Sequence, residues 1–161
     1  MKYFYPILLM IASLIAPTSC IVKTIQFDQN CGGYLKQTAD ANTAEIALER
    51  ITKAIKYIER KHLTNGYTSI LYETEDENVG FWYQNIKACQ KELEACMDGS
   101  QLEKSNVLMK VRESLTDDTQ LTIPLGISRY PDNTEWMIFG IISLFVFSGS
   151  LFRVVYLASE E

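Results

Sequence analysis

Between Trp136 and Phe152 the chain reads WMIFGIISLFVFSGSLF, 17 residues without a charge. Few folds can hold such a stretch. Crossing a hydrocarbon core of ~30 Å takes about 20 apolar helical residues, so the run sits at the short limit for a span. Arg153 follows it, and its long stem lets the charge reach the interface while Val154 to Leu157 extend the apolar length. Trp136 and Tyr156 lie near the two ends, where amphipathic rings favour the headgroup layer. The other destination is the buried core helix of a water-soluble protein, which needs apolar surroundings on every side. Outside its apolar ends the chain keeps roughly 110 mostly polar residues, enough for one modest core and too few to wrap such a helix. The run is therefore read as a transmembrane helix over 136–157, followed by a short cytoplasmic tail, 158–161. Gly140, Ser143 and Ser150 fall close to one helical face, where small side chains permit close helix approach. With no G-x-x-x-G among them they are a weak packing signal. Trp136, Gly140, Ser143 and Arg153 are the marked positions of this anchor.

A second apolar run, YFYPILLMIASLIA, opens the chain behind Lys2. One positive charge, an apolar core and the small residues Ser19 and Cys20 after it make a secretory signal pattern. Pro6 and Pro17 argue against one long straight helix. Residues 1–22 are accordingly read as a cleaved signal peptide, an uncleaved signal-anchor, or a segment lipid-modified at Cys20, and these stay open. All three share a topology. Lys2 and Arg153 are the basic residues outside the middle, and the positive-inside rule puts both on the cytoplasmic side. Residues 23–135 then face the extracytoplasmic side, periplasmic or extracellular.

Charge narrows the partners. Without Lys2 and Arg153 the 15 basic residues become 13, and without Glu160 and Glu161 the 20 acidic ones become 18, so the middle carries a net −5. An acidic domain with no clustered Lys/Arg stripe repels phosphate backbones, which excludes nucleic acid as a partner.

The middle reads as helices. Ile21–Asn30 is short and mixed, a tether or an edge strand, and Tyr34–Ala41 starts a helical stretch. Asn42-Thr43 offers an N-cap to the run Ala44–His62, where Ile46, Leu48, Ile51, Ala54, Ile55 and Ile58 recur mostly at three- and four-residue steps. Asn65-Gly66 is taken as its end. Tyr67–Tyr72 is a strand or a helical turn. A second helix is expected over Glu77–Met97, with Val79, Trp82, Ile86, Cys89, Leu93 and Cys96 stepping 3-4-3-4-3. Ser100-x-x-Glu103 is a capping box for a third helix ending near Leu115. Thr119–Pro131 is extended, interrupted by Pro124 and Gly126. The fold expected is mostly α: a small three-helix, hairpin-like extracytoplasmic domain between the two apolar ends.

Disulfides are permitted outside the cytoplasm. Cys89 and Cys96 are seven apart, about 10.5 Å along a helix, beyond the ~7 Å Cα limit of a bridge. Cys31 precedes the first helix of the hairpin, so Cys31–Cys96 is the expected pair and Cys31–Cys89 the second choice. The acidic cluster Glu73, Glu75, Asp76 and Glu77 lacks the alternating Asp/Asn loop of a Ca²⁺ site and reads as charge at a helix N-terminus. There is no C-x-x-C, and the single histidine, His62, sits beside Lys61 at a helix end, so no zinc ligand set is present.

No nucleophile–base pattern, phosphate loop or dinucleotide fingerprint occurs, so no enzyme, cofactor, metal or small-molecule substrate is expected. The function expected is protein–protein interaction, as an accessory or scaffold subunit of an envelope or membrane complex, with the membrane and other membrane or envelope proteins as partners. Tyr67, Tyr72, Phe81, Trp82 and Tyr83 are the candidate contact residues. The first alternative is a membrane-acting protein, of phage or envelope-stress type, whose spans carry the activity, and the second, less favoured, is an enzyme with no recognisable motif.

Overall fold

The computed structural model describes residues 2–69, 73–118, 120–124, 126, 129–131 and 133–159. The chain is mostly helical and divides into two units. One comprises Met1–Lys23 with Asn133–Glu161, the other Thr24–Asp132.

The first unit pairs two apolar helical stretches. α1 (Phe4–Ser13) leads at Leu14 into α2 (Ile15–Phe27). α7 (Thr134–Ser159) runs 26 residues, about 39 Å at 1.5 Å per residue. Both stretches are long and apolar enough to cross a membrane. The two lie antiparallel: the Tyr3 hydroxyl donates to the Leu157 carbonyl (3.2 Å), the Ser143 hydroxyl to the Ser13 carbonyl, and the Lys23 ammonium lies over the Trp136 ring (3.8 Å). Pro6, Ser13 and Ser150 are the buried residues of the pair, whereas Phe139, Phe145 and Phe152 point outward. An outward apolar surface of this kind marks contact with a membrane or with another protein.

The second unit is helical almost throughout. The stretch Ile21–Asn30, expected as a tether or edge strand, is helix: α2 continues to Phe27 and passes through a π-helical turn, Asp28–Gly32, into α3 (Gly33–Ala39). A short turn reverses the chain into α4 (Ala44–Arg60), where the Thr43 hydroxyl accepts the Ile46 amide as an N-cap. α4 ends before Asn65-Gly66, the end expected from sequence. His62 takes a left-handed φ of 57°, and the His62 and Leu63 amides donate to the Glu59 and Ile58 carbonyls at 3.1 and 2.9 Å, a Schellman closure. Tyr67 makes one antiparallel bridge with Asn78; the rest of the expected Tyr67–Tyr72 segment, from Ile70 onward, lies outside the described residues. The acidic stretch forms a 3₁₀ turn, Glu75–Glu77, closed by a Thr74–Glu77 capping box.

α5 (Val79–Ala95) and α6 (Gln101–Leu115) complete the bundle, capped by Asn78 and Ser100. The three helices expected are therefore joined by a fourth, α3, which packs on α4 and α6. Cross-helix pairs give the register of α4 and α5: Tyr83 with Glu59 and Gln90 with Thr52 are antiparallel partners. Lys110 with Glu92 does the same for α5 and α6. The core holds Phe27, Leu35, Ile51, Ile58, Val79, Ile86, Leu93 and Val111, all essentially inaccessible. After α6 the chain forms a two-residue β ladder, β1 (Thr116–Asp117) with β2 (Gln120–Leu121). It then returns over the bundle as an irregular strap. Gly126 (φ 149°) lies so close to Thr68 that a Cβ there would collide with the Thr68 carbonyl.

Candidate functional site

In the second unit an aromatic cluster joins four separate parts of the chain. Phe27 lies 6.4 Å from Tyr57, 6.2 Å from Trp82 and 6.4 Å from Tyr130, measured between ring centroids. The Tyr57 and Tyr130 hydroxyls share a hydrogen bond of 2.8 Å, and the Trp82 indole N–H donates to the Thr122 carbonyl at 3.0 Å. Burial, and then the Tyr130 hydroxyl, push the Tyr57 phenol well above its ordinary value. Beside this cluster burial raises the Cys31 thiol strongly, with the Asp28 carboxylate adding to the effect.

This placement corrects two readings from sequence. Trp82 is core, only 8% exposed, because it belongs to the stripe Val79–Trp82–Ile86–Cys89–Leu93–Cys96, every member of which is buried. Its ring packs against Phe27 in the core and is not an exposed contact. Of the remaining candidates Phe81 is exposed, Tyr83 is half-buried with its hydroxyl donating to Glu59 (2.7 Å), and Tyr67 is half-buried with its hydroxyl accepting from Asn78 (3.3 Å). Tyr72 lies outside the described residues. Phe81, Tyr67 and Asn78 come together at the start of α5, since Asn78 also caps Phe81.

The second correction concerns the cysteines. Cys20, Cys31, Cys89 and Cys96 are all free, so neither Cys31–Cys96 nor Cys31–Cys89 is bridged. The reason is an additional chain reversal. α3 is itself antiparallel to α4, so Cys31, upstream of α3, lies level with Tyr57 and raises its pKa. Cys96, whose pKa is raised chiefly by burial, lies level with Glu45, whose carboxylate adds slightly to the effect. Glu45 and Tyr57 are about 18 Å apart along α4, far beyond bridging distance. Cys96 instead donates to the Leu93 carbonyl (3.2 Å).

In the first unit the structure gives the anchor residues unequal roles. Ser143 faces the N-terminal helix, and Ser150 is buried beside it. Gly140 has nothing within 4 Å of where a Cβ would stand, so the pair does not use it for close packing. Arg153 is exposed, and Trp136 carries the Lys23 ammonium. The key contact has a cause in sequence. Pro17 lacks the amide that would bond the carbonyl four residues earlier, which is that of Ser13. Ser143 supplies the missing donor. In hydrocarbon an unpaired carbonyl is costly, and side-chain hydroxyls are what let prolines persist in spans. The spacing of seven through Trp136, Ser143, Ser150 and Leu157, and through Pro6, Ser13 and Cys20, was the available signal for this pairing.

An open groove of roughly 520 Å³ runs along one side of this helix pair and a smaller one of roughly 250 Å³ along the other, both touching Ser13, Ala16, Trp136 and Ser143. Among the described residues no group of three or more His, Cys, Asp or Glu side chains could hold a metal ion. Compared with known proteins, the chain matches no family model, no curated protein and no solved structure.

Proposed function

We propose that this chain is a membrane-anchored accessory or scaffold subunit, with the helical unit Thr24–Asp132 on the extracytoplasmic side and the N-terminal segment retained as a second span. The hydrogen bond from Ser143 to the Ser13 carbonyl, the carbonyl that Pro17 leaves without an amide, carries the reading. A signal peptide destined for cleavage needs no partner helix, whereas this segment has one that satisfies its own backbone defect. Two spans in antiparallel pairing return both chain ends to the same side, where Lys2 and Arg153 suit the cytoplasm. The sequence carries no nucleophile–base motif, and the exposed phenyl group of Phe81 on the helical unit is the favoured contact point.

The test is labelling by a membrane-impermeant maleimide in intact cells. Asp98→Cys, in the exposed turn between α5 and α6, is expected to react without lysis, and Lys2→Cys only after permeabilisation. The reverse pattern would overturn the orientation. A photo-crosslinking residue at position 81 is expected to give a discrete protein adduct, and only an uncrosslinked chain would remove Phe81 as a contact.

A further inference from the structure

The outward face of α5 begins with Phe81, Gln84, Asn85 and Ala88, at helical spacing and all exposed, and none of them is charged. Acids frame it on two sides. Ahead of it lies the 3₁₀ turn, where Glu73, Glu75 and Asp76 are exposed, and no Lys or Arg occurs between Lys61 and Lys87. Beside it lies the hairpin after α6, which exposes Asp117 and Asp118 and is followed by the Thr122 carbonyl that the Trp82 indole holds (3.0 Å). Among the described residues none of these five carboxylates makes a salt bridge, whereas Glu45, Glu49, Glu59 and Glu92 each hold a lysine. Local structure accounts for part of this charge. Acids before α5 suit its dipole, and Asp118 takes a left-handed φ of 43° that Asp tolerates. Asp117 follows the C-terminus of α6, where the dipole disfavours it. Of the basic residues at this end of the bundle, Arg60 lies over the Tyr57 ring (5.6 Å), Lys61 follows it, and Arg129 adjoins Tyr130, so the acids remain in excess.

We propose that this face docks a cationic segment of a partner protein, one that lays an apolar side chain on Phe81 with Lys or Arg on either side of it. The inference rests on the reading of Phe81 as a contact point and adds the chemistry of what it meets. An aromatic ring set inside a polar rim is the form an interface anchor takes. Unpaired charge of one sign around the ring selects the opposite sign in the partner. The sign also decides against the other surfaces available. Anionic lipid and nucleic acid are repelled, and so is a second copy of this chain, which would bring the same carboxylates against themselves. Gln84 and Asn85, beside the ring, can each donate to and accept from the backbone of the incoming segment.

Full-length protein carrying a photo-crosslinking residue at position 81 would be irradiated in its native membranes, and the adduct digested and sequenced by mass spectrometry. The linked partner peptide is expected to carry Lys or Arg within about one helical turn of the linked residue. Glu75→Lys with Asp76→Lys should lower the adduct yield about tenfold. Glu75→Gln with Asp76→Asn should fall between that and the unaltered acids, a graded response that misfolding would not give. Glu94→Lys with Asp98→Lys, the same charge change at the other end of α5, should leave the yield as it was. Raising salt from about 0.1 M to about 1 M, which shortens the Debye length from ~10 Å to ~3 Å, should lower the yield as the reversal does. A linked peptide without Lys or Arg, a yield equally sensitive to charge at either end of α5, or adducts confined to lipid or to a second copy of the chain would each overturn the proposal. The two levels separate cleanly. No adduct at all removes Phe81 as a contact and this inference with it, whereas a discrete protein adduct whose yield ignores both the reversal and salt ends the cationic-partner proposal alone.

Discussion

Phe81 and Trp82 are neighbours in sequence and opposites in environment: one is 62% exposed, the other 8%. Helical geometry turns adjacent side chains by about 100°, so in an aromatic triplet only one ring can lie on the apolar stripe. That stripe was readable in the chain, and it already placed Trp82 inside; treating Trp82 as a contact residue set composition above periodicity. What no local pattern could show is the partner of its indole N–H. The Thr122 carbonyl lies 40 residues downstream on an irregular strap whose path depends on packing of the whole bundle. The two residues should therefore respond differently to truncation. Trp82→Ala opens a core cavity and is expected to cost about 3–5 kcal/mol, read as a lowered denaturation midpoint of the detergent-solubilised protein. Phe81→Ala should stay within about 0.5 kcal/mol. Equal effects at the two sites would refute the assignment of inside and outside.

At the level of elements, the helices were legible wherever a cap stood next to a periodic run: Thr43 before α4 and Ser100 before α6 are the caps found. Ile21–Asn30 was not legible because it has no stripe of its own; it is helical by continuation from the apolar run before it and through the Phe27 and Cys31 side chains it buries. Pro6 and Pro17 argue against one long straight helix, and the helix is interrupted at Leu14, three residues before Pro17, before it goes on. Proline removes one hydrogen bond, and here another helix replaces it. This gives a double-mutant cycle. Ser143→Ala should weaken the helix pair by about 0.6–1.7 kcal/mol, the range for hydrogen bonds between membrane helices, measured by SDS titration of the reconstituted protein. In a Pro17→Ala background the Ser13 carbonyl regains its own amide, so the same serine substitution should then cost close to nothing. A loss of the same size in both backgrounds would show that the serine acts by packing alone.

For the molecule as a whole, charge and hydropathy divide the chain much as the structure does, but the relative heights of side chains depend on how many times the chain reverses. Missing one reversal, at α3, moved Cys31 to the wrong end of the bundle and produced a disulfide that the fold does not make. The consequence is chemical. Burial raises the pKa of Cys31, Cys89 and Cys96, and of the Tyr57 phenol. A group whose folded pKa is raised contributes stability that is complete below its unfolded value and is lost as pH climbs past it. For thiols that value is about 8.5 and for tyrosine about 10. Stability should therefore be level from about pH 6 to 8 with respect to these groups, then fall by about 1.4 kcal/mol per pH unit for each thiol ionised only in the unfolded chain. A denaturation midpoint that holds unchanged to about pH 11 would contradict the burial of these groups. Alkylation gives an independent reading on the same protein. In denaturant without reductant all four cysteines, free in the fold, should each take one label. A bridged pair would leave two unlabelled until reductant is added, and would place Cys31 at the other end of α4.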